Sequence, residues 1–194
     1  MDKLDRESLY SLEKYSEIRK EFKQKVITHK QNRRLPIGPH ATLYFEDTLT
    51  IQYQVQEMLR IEKIFEAAGI QEELDAYNPL IPDGSNWKAT FMIEYEDEAE
   101  RRMALQRLLH IEQHIWMQIE NHKRISPIAN EDLERETEEK TSAVHFLRFE
   151  LSDEMISSLK QGASLSAGID HAQYRYTVDP VPGNIRQSLV QDLD

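Results

Sequence analysis

The chain has 194 residues, no cysteine and a net charge of −11, with mean hydropathy of −0.67. The missing thiols exclude disulfide frameworks, thiolate zinc sites, iron–sulfur ligation and cysteine nucleophiles, and they fit a reducing cytoplasm. The acidic balance disfavours nucleic acid as the main partner.

A chain of this length buries about 70% of the surface its unfolded form exposes, so one domain spanning 1–194 can hold a core without covalent staples. No apolar run approaches the ~20 residues of a membrane span, and the N-terminus lacks the apolar centre of a signal peptide. A soluble, cytoplasmic protein is expected. Charge is uneven: residues 1–40 carry ten Lys/Arg against six Asp/Glu. The basic group Arg19, Lys20, Lys23, Lys25, Lys30, Arg33 and Arg34 could meet phosphate. Given the overall sign, it is better read as facing solvent or the chain's own acidic body.

The first element reads as a basic helix within residues 1–35. It runs from about Arg6 to Lys30 with Asp5 as N-cap, and it shows Leu12, Tyr15, Ile18, Phe22 and Val26 on one face. Pro36, Gly38 and Pro39 break it, and the strand–helix body occupies 36–194. Ala41 to Glu46 alternates as a strand. Thr48 or Thr50 then caps a second helix that Gly69 should stop near Ala68. Its stripe is Ile51, Val55, Met58, Leu59 and Phe65. Glu62 intrudes there and would need a partner, since an unpaired buried carboxylate is very costly. Glu57 is placed to pair with Arg60.

Residues 71–86 read as a long connection with a turn at Pro82-Asp83-Gly84. Alternating strands follow at Trp87 to Tyr95, Ile115 to Glu120 and His145 to Leu151, with an interrupted one at 164–178. Short helices fall at Asp97 to Leu109, after Ser152, and after Pro182. Asn130 to Lys140 is highly charged and reads as a solvated helix or linker. One-sided alternation points to an α+β fold in two layers. It has about five mostly antiparallel strands with helices on one face, plus the long N-terminal helix.

Standard catalytic signatures are absent: no glycine-rich phosphate loop, no Gly-x-Ser-x-Gly elbow, no His-Glu-x-x-His and no helical Glu-x-x-His. His110 and His114 have helical metal spacing, but the strand that follows should splay them. His145 lies on an apolar strand face and reads as a satisfied core histidine.

Two candidate sites remain, both centred on Gly38 to Tyr95. The first is a mixed His/carboxylate centre of His40, Glu46 and His171, open to Glu57 or Glu62, and suited to iron, manganese or zinc. The second is a ligand site using Glu57, Arg60, Glu62, Tyr77 and Asn86, with Arg148 as a further anion clamp. For both arginines, pairing with nearby carboxylates is the simpler reading.

Four stretches carry a family likeness. They are Gly38-Pro-His-Ala-Thr-Leu-Tyr-Phe-Glu-Asp47, Gln54-Val-Gln-Glu-Met-Leu-Arg-Ile-Glu62, Leu74-Asp-Ala-Tyr-Asn-Pro-Leu-Ile-Pro-Asp-Gly84 and Val144-His-Phe-Leu-Arg-Phe-Glu-Leu151. The chain resembles the uncharacterised bacterial domain-of-unknown-function family 3501 over nearly its whole length. That resemblance carries no catalytic residue. By gene context it implies a role near iron or peroxide chemistry, beside a rubrerythrin-like or iron–sulfur oxidoreductase partner, which suits a metal centre and an accessory role alike. With the missing catalytic signatures and the acidic balance, the expected function is a non-catalytic accessory or ligand-binding protein. The alternative is a metal-dependent enzyme with the His/carboxylate centre. An exposed sheet edge would permit a homodimer.

Overall fold

A computed structural model describes residues 2–133, 135, 137 and 139–194. Among the described residues, six α-helices and eight strands alternate irregularly along the chain, giving an α+β fold with two antiparallel sheets. The larger sheet runs β1(Arg34–Pro36)-β2(Ala41–Phe45)-β3(Asn86–Ile93)-β6(Val144–Glu150)-β5(Ile128–Ala129). The smaller runs β4(Ile115–Ile119)-β7(Leu165–His171)-β8(Tyr174–Val178).

Alternation decides which side chains are buried. Along β3, Trp87, Ala89, Phe91 and Ile93 face inward, while Lys88, Thr90 and Met92 are half-buried on the other face. Register extends the inner row to Leu43 opposite Phe91 and Leu147 opposite Ala89. These side chains share one continuous core with Ile115, Met117, Ile119, Leu165, Ala167 and Ile169 of the smaller sheet. Each large side chain removed from water there is worth roughly 1.5–3 kcal/mol. Trp87 ties the C-terminal helix α6(Gly183–Val190) to this core by donating from Nε1 to the Leu189 carbonyl at 2.9 Å.

The remaining long helices, α1(Leu12–Lys30), α2(Thr48–Glu62) and α3(Ala67–Tyr77), pack on one another and keep two smaller clusters of their own. Ile51, Val55 and Leu59 of α2 meet Leu74 of α3, and α1 contributes Tyr15, Phe22 and Val26. Among the described residues, no helix is long and apolar enough to cross a membrane.

Several boundaries depart from the periodic reading. Helix α1 starts at Leu12 with Ser11 as its cap. Asp5 instead closes a turn, its Oδ1 accepting from the Ser8 N–H at 2.8 Å. Helix α2 is opened by an Asp47/Thr50 capping box and ends at Lys63, whose φ is 55°. Gly69 therefore stops nothing. It lies in the first turn of α3, where an added Cβ would come within 2.7 Å of Ile64 Cγ2.

Most of the expected connection is α3 and a 3₁₀ turn over Asn78–Leu80, because Ile70, Leu74 and Tyr77 recur at helical spacing and pack toward α2. The interrupted strand at 164–178 is the β7–β8 hairpin, with its break after His171. Helices α4(Glu98–Arg107) and α5(Asp153–Lys160) begin at Asp97 and Ser152 caps, close to the expected places. The charged stretch Asn130 to Lys140 lies in part outside the described residues. Its described positions are in no helix.

Candidate functional site

The polar face of α2 is largely occupied from within the molecule. Gln52 Nε2 donates to the Ser8 carbonyl at 2.6 Å, and Gln56 Oε1 accepts from the Tyr10 N–H at 2.6 Å. Gln56 is fully buried. These amides hold residues 4–10 as a strap over the helix, with Leu4 inserted into the α2–α3 cluster.

Glu57 faces α1. Its carboxylate accepts from Arg19 Nε at 2.7 Å and Nη2 at 2.9 Å, from Tyr15 Oη at 2.7 Å and from Arg60 Nη2 at 3.1 Å. The Arg19 hydrogen bonds hold the Glu57 carboxyl at about 2, against the opposing pull of burial. Burial and the same contact push the Tyr15 phenol well up.

Glu62 does not join this group. The inward stripe of α2 is Ile51, Val55 and Leu59, Glu62 is exposed at the helix end, and Phe65 lies outside the helix with 74% of its surface free. No buried carboxylate needing a partner exists at that position. Tyr77 packs half-buried against the helical cluster. Asn86 is buried at the start of β3, donating to Asp83 Oδ2 at 2.9 Å and Glu150 Oε1 at 3.1 Å. The five ligand candidates thus divide between a helix interface and a sheet corner.

The three metal candidates also have separate surroundings. His40 stacks on Tyr95 at 3.9 Å between ring centroids, with Nδ1 3.1 Å from the Glu94 carbonyl. Glu46 is buried and accepts from Thr50 Oγ1 at 2.6 Å and Thr90 Oγ1 at 2.7 Å. His171 Nδ1 accepts from the Gln173 N–H at 3.2 Å, which leaves Nε2 to donate to the Leu109 carbonyl at 3.0 Å. Burial lowers the His171 pKa, and nearby His114 and His110 reinforce the shift. Among the described residues, no group of three or more His, Asp or Glu side chains could hold a metal ion.

The helical spacing of His110 and His114 is lost as well. Helix α4 ends at Arg107, His110 has φ 63°, and a 3₁₀ turn follows. His145 is a core histidine, its Nε2 3.0 Å from both Thr141 Oγ1 and the Ser142 carbonyl.

What the residues do assemble is a cavity of about 280 Å³ on the outer face of the larger sheet. Pro79 and Leu80 of the 3₁₀ turn form one wall, Phe146 of β6 forms another, and Glu46, Lys88, Glu131, Asp132 and Arg148 supply its polar groups. Two of these, Glu46 and Arg148, were candidates from sequence.

Arg148 is no open anion clamp. Its guanidinium forks onto Glu131 at 2.7 and 2.8 Å and also reaches Glu150. The pairing raises the Arg148 pKa and lowers that of Glu131. Lys88, directly opposite Arg148 in register, donates from Nζ to the Pro79 carbonyl at 2.5 Å. A wider hollow of about 710 Å³ lies along the strap, where Asp5, Arg6, Glu7 and Gln71 mix polar groups with the apolar walls of Leu9, Leu59 and Ile70.

A family model described as a protein of unknown function, DUF3501, matches residues 3–193. The chain belongs to this family. A crystal structure at 1.90 Å of a novel protein of unknown function from Burkholderia pseudomallei K96243 is similar to this DUF3501 chain, with 52% identity and a TM-score of 0.94. The match covers 100% of each chain. No curated protein matches it. In this DUF3501 protein, Lys88, Glu131 and Asp132 are polar cavity residues that the sequence does not single out, because a charged side chain on an alternating strand or in a charged stretch is ordinarily a solvated one.

Proposed function

We propose that the chain is a non-catalytic ligand-binding protein whose ligand occupies the cavity on the outer face of the larger sheet. One observation carries the reading: a 280 Å³ space with apolar walls from Pro79, Leu80 and Phe146, and ionisable groups placed at its margins. Small-ligand sites have this composition, an apolar lining with a few polar groups that orient the guest. The ligand is a small molecule with an apolar body and one polar end. The carboxylates Glu46, Glu131 and Asp132 outnumber Lys88 and Arg148, which disfavours a free dianion.

Benzyl alcohol is a suitable probe for calorimetric titration. Saturable binding that weakens at least tenfold in Leu80→Trp, which fills the space, is expected. Binding that the substitution leaves unchanged would refute the site.

An accessory role beside a rubrerythrin-like or iron–sulfur oxidoreductase partner follows from what the resemblance implies by gene context, and a cytoplasmic setting from the missing cysteines. Copurification with such a partner tests it. The metal-enzyme reading draws no support from the separate settings of His40, Glu46 and His171. We read 1–194 as one folding unit, supported by the Arg33–Asp192 contact between the end of α1 and the C-terminus. Homodimerisation through β8, an outer strand with Arg175, Tyr176 and Thr177 exposed, is measurable by light scattering.

A further inference from the structure

Lys88 has an unusual setting for a strand lysine. Its Nζ borders a mostly apolar cavity and is held at 2.5 Å by the Pro79 carbonyl. Arg148 sits directly across the strand pair on the same face, and like charges in register are unfavourable. A second ammonium comes from the N-terminal strap: Lys3 Nζ donates to the Asn78 and Ile81 carbonyls at 2.9 and 2.7 Å, bracketing Pro79. Glu46 reaches the same place through its backbone, its N–H donating to the Lys88 carbonyl at 2.8 Å.

We propose that Lys88 holds the cavity's ligand covalently as an imine, so that the ligand is a small aldehyde or ketone with an apolar body. This inference rests on the cavity being the binding site and names the chemistry of its guest. An amine that is partly desolvated keeps more of its neutral, nucleophilic form than a surface lysine. Burial lowers the Lys88 pKa against the pull of Asp83, with Arg148 adding to the shift and Glu131 and Glu150 opposing it, and burial lowers that of Lys3, with Lys88 adding to it.

In the step itself the neutral Lys88 nitrogen attacks the carbonyl carbon. A C–N bond forms, and the carbonyl oxygen takes up the first amine proton to give a carbinolamine. The C–O bond then breaks, and the oxygen leaves as water with the second amine proton. No oxidant or reductant takes part, and water reverses the bond.

The test is benzaldehyde with sodium cyanoborohydride at neutral pH, read by peptide mapping, with benzyl alcohol titration run on the same protein. Lys88 should be alkylated at least tenfold faster than the exposed Lys20, Lys23 and Lys25. Lys88→Arg, which keeps the charge and a donor to Pro79, should abolish that fast phase. Benzyl alcohol binding with Lys88 labelled no faster than the surface lysines would overturn the imine and leave the cavity reading standing. Failure of both measurements would overturn both.

Discussion

Arg33 and Asp192 meet at 2.5 Å although each side chain is only 2% exposed and 159 positions separate them in the chain. Arg33 also donates to the Phe45 and Glu46 carbonyls at 3.0 Å and lies 3.3 Å from Asp47, which in turn contacts His29 at 2.5 Å. One guanidinium therefore joins the end of α1, the β2–α2 corner and the C-terminal segment.

Removing Asp192 takes from the buried Arg33 the carboxylate that faces two of its nitrogens and leaves Asp47 as its ionic partner. Asp192→Ala should lower unfolding free energy by about 1.5–3 kcal/mol, measured by urea denaturation. A loss below about 1 kcal/mol would mean that water reaches the Arg33 guanidinium and the pair is not sealed. The Asp192 carboxyl is pushed up by burial, with Arg33 opposing, so its ionisation in the folded state does not add to stability at neutral pH.

Glu57 has the opposite sign. Its folded pKa of about 2 lies below the ordinary value of 4.5, so its stabilisation is complete above the unfolded pKa and fades as pH falls from about 4.5 toward 2. Glu57→Gln should destabilise the protein at pH 7 by about 1.5–3 kcal/mol, the range for hydrogen bonds to charged groups. The two proteins should converge in thermal unfolding as the pH approaches 2. Parallel melting curves at every pH would place the acid sensitivity elsewhere.

Gln56 holds the strap through both its oxygen, at 2.6 Å from the Tyr10 nitrogen, and its Nε2, at 3.3 Å from the Tyr10 carbonyl. Gln56→Ala should cost about 1–3 kcal/mol through the backbone groups it leaves unsatisfied. Hydrogen exchange should accelerate across residues 4–10 and stay unchanged in β3 and β6. Equal acceleration in the sheet would show that the strap and the β core open together.

How far the sequence reveals this molecule depends on the range of each interaction. Alternation at Ala41, Trp87, Ile115 and His145 identifies strands because the side-chain period of two is local. The partition into two sheets is not visible there, since an apolar face does not say which other face it meets. Glu62 interrupts an apolar stripe only if Phe65 belongs to its helix, and Lys63 in the left-handed region ends α2 first. The Gln-rich face of α2 finds its partners in residues 8–10 and α1, more than 35 positions away. The cavity was hidden for the same reason. Lys88 faces Arg148 only through the register of strands 60 positions apart, and Pro79 joins them only once α3 has folded.

The cavity claim is tested most directly by diffraction from crystals soaked in 4-bromobenzyl alcohol, with data collected at the bromine edge. The account requires an anomalous peak between Leu80 and Phe146, absent from crystals of Leu80→Trp. An empty cavity in well-ordered soaked crystals, or bromine bound only at other places on the molecule, would contradict it.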